Sequence, residues 1–252
     1  MLQKKIEKIE KFLLKESKKR GFNSIVFGLS GGIDSAVVGY FCNKVFKKKA
    51  RAFIMPSTFS NPKNTDDAIN FAKSIGLYYE VIDIGKFQDD FASISHLKED
   101  SKDLHRIGNF IARIRMAILY DKSYLHNALV IGTSNKSELM LGYGTLYGDM
   151  ACAINPIGNI YKSEIFEIAK HIGIPKYIID KKPSADLFEG QSDEYDLGYS
   201  YEMIDKLLVQ IDSNLSKKHL LKKGFEREFI ESIQNRIKNN RFKSKMPKIA
   251  KV

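Results

Sequence analysis

One glycine- and serine-rich stretch, FGLSGGIDS at positions 27–35, constrains the fold of this chain more than any other. The apolar residues 24–27 precede it and the apolar residues 36–42 follow it, which predicts a strand, a loop and a helix in that order. Such a loop directs backbone N–H groups and the positive end of a helix dipole at one point, which suits a phosphate. Ser30 and Ser35 add hydroxyl donors, and Asp34 is an oxygen ligand of the kind that binds Mg²⁺.

Three other interpretations of this loop are less consistent with its residues. A tight turn with Asp34 as a helix cap would not require two serines and two glycines beside the acid. A Walker A motif would need Lys-Ser or Lys-Thr after the glycines, and the dinucleotide fingerprint would need Gly-x-Gly-x-x-Gly. The loop therefore predicts phosphate binding and leaves the substrate open.

The composition indicates a single domain whose cysteines are reduced. The 252 residues suffice for one core, so we expect one domain over 1–252. No apolar run approaches the roughly 18 residues that span a bilayer, and the mixed charges of MLQKKIE do not form a signal peptide. Cys42 and Cys152 are too few for a disulfide framework, and the histidines lack zinc-ligand spacing. We expect a cytoplasmic protein without membrane contact.

The charge is a weaker guide. A formal net charge of +11 is compatible with a nucleic acid, with a small polyanionic substrate or with a lysine-rich surface. The lysines are spread along predicted helices, without an RNP or helix-turn-helix pattern. We therefore expect anionic partners but no nucleic acid.

Strand-like and helix-like segments alternate along the chain. The predicted strands are 24–27, 50–55, 78–84 and 127–131, and the predicted helices are 2–19, 34–46, 64–75, 107–120, 162–171, a short one from 175, 201–211 and 225–239. This order predicts an α/β fold with a doubly wound, mostly parallel sheet flanked by helices, whose ligands lie at the carboxyl ends of the strands. The polar stretch 87–104 is interpreted as an irregular connection, 189–194 as a lid over the site, and the basic end from 241 as a solvated tail.

Two further loops, 132–138 and 142–149, follow the fourth predicted strand. Thr133 and Glu138 would lie at the same rim as the phosphate loop if the first and fourth strands are neighbours. The glycine-rich residues 142–149 predict a binding loop, with an exposed linker as the alternative.

The motifs SGGIDS, GNFIARIRM, GTSNKSE, YGTLYGDM, INPIGNIYK, KPSADL and QSDEYDLGYSYEMID follow one another between about residues 3 and 247. In this order they resemble the ammonia-dependent NAD synthetases of the ATP pyrophosphatase superfamily, which have an adenine nucleotide α-hydrolase-like, Rossmann-like fold. The resemblance implies a ligase for the last step of NAD biosynthesis. ATP adenylylates the carboxylate of deamido-NAD with release of pyrophosphate, and ammonia then displaces AMP. Larger relatives carry a glutaminase domain, and we expect none here.

The resemblance also implies roles for individual residues. ATP contacts fall on Gly28, Leu29, Ser30, Gly31, Gly32, Ile33, Asp34, Ser35, Thr133, Lys162 and Ser184, with the strand end 53–55 beside adenine. Deamido-NAD contacts fall on Arg113, Asp149 and Lys243. Asp34 and Glu138 would bind Mg²⁺, and the catalytic set is Asp34, Glu138, Lys162 and Asp149, the last as a proton acceptor for ammonia.

Two positions depart from the pattern of the family. Phe242 stands where a histidine is usual, and Ala153 where many members have an aspartate; Asp149 would then take over part of the contact to deamido-NAD. The resemblance further implies a homodimer whose interface helps to build that site. The helix with Arg113 and Arg115 would line the interface, or both arginines would be surface ion-pair residues.

The chemistry fits these residue types. A carboxylate that attacks the α-phosphorus of ATP brings two anions together, so magnesium and cationic side chains matter more than a protein nucleophile. No Ser-His or Cys-His pair is evident in the sequence. Two alternatives stay open: a tRNA-modifying ATP pyrophosphatase, disfavoured by the lack of CxxC and of an RNA-binding appendage, and a nucleotide-binding protein without catalysis.

Overall fold

A four-stranded parallel sheet forms the centre of the protein. The computed structural model describes residues 2–98, 101–184 and 191–250. The strands are β1 Ser24–Gly28, β2 Ala50–Ile54, β3 Tyr78–Val81 and β4 Ala128–Val130, and they are ordered β3-β2-β1-β4 with all neighbours parallel. The strand that leads into the phosphate loop is therefore interior, with β4 directly beside it.

Helices account for most of the remaining chain. In chain order they are α1 Leu2–Lys19, α2 Ile33–Phe46, α3 Pro62–Ser74, α4 Gly85–Ile94, α5 Ser101–Leu125, α6 Lys136–Leu141, α7 Lys162–Ile172, α8 Lys176–Ile179, α9 Asp193–Leu197, α10 Tyr201–Asp212, α11 Lys217–Lys222 and α12 Arg227–Asn240. A 3₁₀ helix, Arg241–Ser244, follows α12.

Helices cover both faces of the sheet, and β1 is accordingly apolar on both sides. Ile25 and Phe27 point into one core with α1, α2, α3 and α7, whereas Val26 points into a second core with α4 and α5. Alternate residues of a strand face opposite sides, so a strand buried on both faces must be apolar throughout. The predicted doubly wound α/β fold is confirmed. A third apolar cluster joins α6 to α9–α12 around Leu207 and Ile230.

The stretch 87–104 was the least accurate part of the prediction. It contains most of α4 and the first turn of α5, so the interpretation as an irregular connection is wrong. Phe91 of α4 stacks on Phe110 of α5 with ring centroids 3.9 Å apart, and Gln88 is buried. Packing between the two helices therefore stabilises a segment whose polar sequence gives little helical signal. The short helices α6, α9 and α11 were also not predicted.

Other boundaries agree to within a few residues, and the main differences lie at element ends. α5 runs over Ser101–Leu125 instead of 107–120, and β3 ends at Val81 instead of 84. Of the predicted lid 189–194, residues 189 and 190 lie outside the described residues and 193–194 begin α9. Within the three described ranges, no helix is both long enough and apolar enough to cross a bilayer.

Candidate active site

A cleft of about 570 Å³ opens at the carboxyl ends of β1 and β4. The backbone N–H of Leu29 donates to the Phe53 carbonyl at 2.9 Å, and that of Ile131 donates to the Val26 carbonyl at 2.9 Å. These bonds continue the sheet into the loops that line the cleft. Because β1 and β4 are neighbours, Thr133 and Glu138 share the cleft with the phosphate loop, as expected.

The phosphate loop is held in shape by its own serines. Ser35 Oγ accepts from the Ser30 backbone N–H at 3.2 Å and donates to the Gly32 carbonyl at 2.9 Å. The Gly32 N–H in turn donates to Ser30 Oγ at 3.3 Å. Gly32 is the N-cap of α2, and Asp34 lies inside the first turn. The cap interpretation of Asp34 therefore does not hold, and its carboxylate is available to other partners.

Gly31 is the position of the loop where only glycine fits. Its φ is +79°, and a Cβ would lie 2.2 Å from the backbone oxygen of Asn64 at the start of α3. The Gly31 carbonyl accepts from Lys181 Nζ at 2.9 Å. The same ammonium contacts Asn64 Oδ1 at 2.8 Å and Asp67 Oδ2 at 2.6 Å. The prediction missed Lys181, which connects the loop to α3.

A lysine and two carboxylates meet beside the loop. Lys162, the first residue of α7, is only 3 % exposed. Its Nζ lies 2.5 Å from Asp34 Oδ2 and 3.7 Å from Glu138 Oε1. The ammonium also stands over the ring of Tyr201, 5.2 Å from the centroid. Three residues 24 or more positions apart in sequence thus share one buried spot, which no local pattern could show.

Asn135 fixes the two carboxylates relative to each other. It is fully buried at the N-cap of α6, where its Oδ1 accepts from the Glu138 N–H at 3.0 Å and its own N–H donates to Glu138 Oε2 at 3.1 Å. Its Nδ2 donates to Asp34 Oδ1 at 3.0 Å. The site residues predicted from the sequence do not include Asn135, although Asn-x-x-Glu before an apolar run is the signature of a capping box.

The cluster contains more carboxyl groups than cations. Burial, and then the charge of Asp34, raise the pKa of Glu138, although Lys162 opposes them. Burial alone would lower the pKa of Lys162, but Asp34 and Glu138 outweigh it and the net direction is upward. Asp193, buried nearby, accepts from the hydroxyls of Tyr143 at 3.1 Å and Tyr201 at 3.3 Å, and burial raises its pKa. One ammonium therefore faces several carboxyl groups, which favours an additional cation.

We expect Glu138→Gln to stabilise the ligand-free protein at pH 8 while removing its activity. The raised pKa means that the folded protein binds a proton more tightly than the unfolded chain, so stability falls as pH rises from the ordinary value of 4.5 through the folded value. Gln has no such charge and still fits the capping box. The gain in unfolding free energy at pH 8 should be on the order of 1 kcal/mol or more, the equivalent of one pKa unit, and should shrink towards pH 5.

Urea denaturation with a chelator present measures this difference. The matched control is Glu164→Gln, because Glu164 occupies the corresponding capping-box position of α7 but is partly exposed and paired with Lys5. That control should change stability by less than about 1 kcal/mol. A Glu138→Gln protein that is less stable than wild type at pH 8 would contradict the expectation.

Most of the predicted site residues line the cleft, with two exceptions. Those that do so are Gly28, Leu29, Ser30, Gly32, Ile33, Asp34, Ser35, Thr133, Glu138, Asp149, Lys162, Ser184 and Lys243, together with 53–55. Among the described lining residues Gly31 and Arg113 are absent, whereas Arg115 is present. Arg115 Nε donates to the Met55 carbonyl at 3.1 Å, and Arg113 Nε donates to the Leu146 carbonyl at 3.3 Å.

The glycine-rich loop 142–149 is ordered by polar contacts at the edge of the cleft. Lys243 Nζ donates to the carbonyls of Gly142 at 2.9 Å and Gly144 at 3.1 Å. Asp149 Oδ1 accepts from the Thr145 N–H at 2.8 Å. The loop is thus part of the cleft wall, and the linker interpretation does not describe it. Phe242, next to Lys243, is exposed.

Comparison with known proteins identifies the family of this chain. The family model described as NAD synthase matches residues 5–247. An NH(3)-dependent NAD(+) synthetase of Helicobacter pylori is 51 % identical over 99 % of this chain and 96 % of its own length. Two solved structures match all of the chain and 99 % of their own. They are an NH3-dependent NAD synthetase of Campylobacter jejuni in complex with nitrate, at 41 % identity and a TM-score of 0.85, and an NMN synthetase of Francisella tularensis, at 30 % and 0.87. The chain therefore belongs to the NAD synthase family.

Proposed function

We propose that this protein uses ATP to amidate deamido-NAD with ammonia, which yields NAD, AMP and pyrophosphate. The observation that carries the proposal is the cluster of buried Lys162 with the partly buried Asp34 and Glu138, beside a glycine-rich loop that suits a phosphate. Membership of the NAD synthase family supports the same reaction. Together they favour a C–N bond-forming ligase over a protein that only binds nucleotides.

The phosphate loop and the amino terminus of α2 would bind the triphosphate. Backbone N–H groups and the helix dipole favour anions there, and Ser30, Thr133 and Ser184 line the same cleft. The backbone at 53–55 would border the adenine. Lys162 would hold a positive charge next to the phosphates throughout the reaction, because its pKa is raised.

Magnesium fits the donor atoms that this cleft offers. Asp34 and Glu138 provide carboxylate oxygens, and the residues that the structure describes contain no group of three or more His, Cys, Asp or Glu arranged to hold a metal. Mg²⁺ characteristically takes one or two protein carboxylates and completes its shell with water and substrate phosphates. We propose that these two residues hold it. When bound, it would supply neutralisation of phosphate charge.

The reaction needs two displacements and no protein nucleophile. In the first, a carboxylate oxygen of deamido-NAD bonds to the α-phosphorus while the bond to the β-phosphate oxygen breaks and pyrophosphate leaves. In the second, the nitrogen of ammonia bonds to the acyl carbon and AMP leaves. Holding both substrates in one cleft supplies orientation. Asp149 is proposed to accept the proton that ammonia loses.

The deamido-NAD site is proposed to need a second copy of the chain. Asp149 and Lys243 line the cleft, but Arg113 does not; it is exposed on α5, where its Nε donates to the Leu146 carbonyl. The same helix exposes Tyr124 and Leu125 near its end. A homodimer through α5 would cover these side chains and would bring Arg113 to the partner's cleft. A sedimentation mass of one chain, 28.7 kDa, in the active protein would contradict this.

Product analysis of the purified protein tests the proposed reaction. ATP, Mg²⁺, deamido-NAD and ammonium should yield NAD, AMP and pyrophosphate in equal amounts, and omission of deamido-NAD should stop all three. We propose that residues 1–252 act as one synthetase unit without glutaminase activity, so glutamine should not replace ammonium. ATP binding without turnover would contradict the proposal, and pyrophosphate release that requires tRNA would favour the RNA-modifying alternative.

A second substrate has to be compared in the same assay. The Francisella tularensis structure with a TM-score of 0.87 is an NMN synthetase, which suggests nicotinate mononucleotide as an alternative acid substrate. We expect a higher kcat/KM for deamido-NAD, since the relatives at about half identity are NAD synthetases. A higher value for the mononucleotide would reassign the substrate but not the reaction type.

A further inference from the structure

A buried carboxylate outside the cleft connects the two helix ends that carry Glu138 and Lys162. Asp205 Oδ1 accepts from the Ser137 hydroxyl at 2.5 Å, and its Oδ2 accepts from the Ser163 backbone N–H at 2.7 Å. Ser137 Oγ accepts in turn from the Lys162 backbone N–H at 3.0 Å. Ser137 is 0 % exposed, and Asp205 is 3 % exposed.

The partners of Asp205 are the sequence neighbours of Glu138 and Lys162. Ser137 directly precedes Glu138 in the first turn of α6, and Ser163 directly follows Lys162 in the first turn of α7. One carboxylate therefore fixes the backbone on both sides of the Glu138–Lys162 pair. Bonds to an ionised acceptor are short and directional, so they restrict both helix ends.

The helix that carries Asp205 also touches the lysine from the other side. Tyr201 lies one turn earlier on α10, and its ring faces the Lys162 ammonium at 5.2 Å. The amino terminus of α10 is attached to α9, because Glu194 accepts from the Tyr201 backbone N–H at 3.0 Å. α10 thus reaches the Lys162 backbone N–H indirectly, through Ser137, and contacts the Lys162 side chain directly through Tyr201.

We propose that Asp205 is a positioning residue that sets the distance between the Glu138 carboxylate and the Lys162 ammonium. The described residues that line the cleft do not include Asp205, so it acts through Ser137 and Ser163 and not on a substrate. The proposal rests on the proposed function, because its main readout is the same reaction. Side chains that orient such reactive groups typically contribute roughly 10–100-fold to activity.

The chain offers a matched control on the same helix. Asp212, two turns after Asp205, accepts from Lys136 Nζ at 2.7 Å and from the Tyr161 hydroxyl at 3.3 Å. Those residues precede Ser137 and Lys162, so Asp212 joins the same three helices at their outer side. Its side chain is 49 % exposed. A role in holding helices together applies to both aspartates, whereas the positioning role applies to Asp205 alone.

The test compares Asp205→Asn, Asp212→Asn and Ser137→Ala. For Asp205→Asn and Ser137→Ala we expect kcat per folded protein to fall roughly 10–100-fold, with KM for ATP changed less than about threefold because the phosphate loop is intact. Asp212→Asn should stay within about twofold in both constants. Because Ser137 and Asp205 act in one network, the double variant should lose little more than the worse single variant.

A second readout does not need turnover. The ¹⁵N resonance of the Lys162 ammonium, assigned by its loss in Lys162→Met, should shift in Asp205→Asn and stay in place in Asp212→Asn. If wild-type protein forms no NAD, the proposed function fails and this resonance alone decides the positioning role. An unchanged resonance in Asp205→Asn, or equal losses of kcat in both aspartate variants, would overturn the proposal. If Asp205→Asn does not fold, Ser137→Ala carries both measurements.

Discussion

Replacing Lys162 with Met is expected to remove the activity and to destabilise the ligand-free protein more at pH 8 than at pH 6. The ammonium is the nearest cation to Asp34 and also contacts Glu138 in a buried place. Loss of one partner of a buried ion pair typically costs about 3–5 kcal/mol. Loss of a group that stabilises charge in the transition state lowers kcat by a factor on the order of 10²–10³.

The pH dependence of this loss follows from the protonation of Glu138. Burial and Asp34 already raise its pKa, and removing Lys162 raises it further. The folded variant then binds a proton that the unfolded chain releases above the ordinary value of 4.5, so its stability falls as pH rises through the folded pKa. The folded pKa of wild-type Glu138 is about 8, so at pH 6 this carboxyl is protonated with or without Lys162, whereas at pH 8 wild type gains an ion pair with Lys162 that the variant lacks.

Urea denaturation at both pH values, with a chelator present, measures the effect. Lys206→Met is the control, since its lysine is 65 % exposed and paired only along α10 with Glu202. We expect that control to change the unfolding free energy by less than about 0.5 kcal/mol at either pH. A Lys162→Met protein with the same small loss at both pH values would contradict the central place of this lysine.

Gly31→Ala is the second large effect that we expect, with ATP affinity lowered at least about tenfold and most of the stability kept. A Cβ at this position would lie 2.2 Å from the Asn64 carbonyl oxygen, so the loop has to move. The positive φ of +79° adds a conformational cost of about 1–2 kcal/mol. A displaced loop no longer directs its N–H groups at one point, and the affinity for Mg-ATP should fall by at least about tenfold, which is 1.4 kcal/mol.

Gly76→Ala is the control that separates the steric clash from the conformational cost of a positive φ. Gly76 has a φ of +63°, but a Cβ there meets nothing within 4 Å. It therefore carries the conformational cost without the clash, and its stability should fall by a similar 1–2 kcal/mol while ATP affinity stays unchanged. Calorimetric titration with Mg-ATP and thermal denaturation of both variants provide the comparison. Equal ATP affinities would show that the close approach of Asn64 does not matter.

Local patterns predicted the elements on which the site is built. The apolar run before Gly28 and the serines and glycines after it indicate a strand and a phosphate loop, because each depends on neighbours in sequence. The alternation of strands and helices was sufficient for the parallel sheet, and the adjacency of β1 and β4 then brought Glu138 to the phosphate loop.

Contacts between distant segments could not be predicted in this way. Lys162 reaches Asp34 across 128 positions and Ser137 reaches Asp205 across 68, so only the folded chain shows them. α4 was missed for a related reason, since its helix depends on packing against α5. The expected contact of Arg113 with deamido-NAD stays a prediction, because this arginine lies outside the cleft of its own chain.

The buried ammonium of Lys162 affects the stability of the protein when no metal is bound. It gives the ligand-free cleft a counterion of its own, made of protein and present as soon as the chain has folded. A chelator should therefore stop turnover without unfolding the molecule, in contrast to proteins whose metal holds the fold together. The proposed magnesium dependence then predicts that activity returns when Mg²⁺ is added back to the chelated protein.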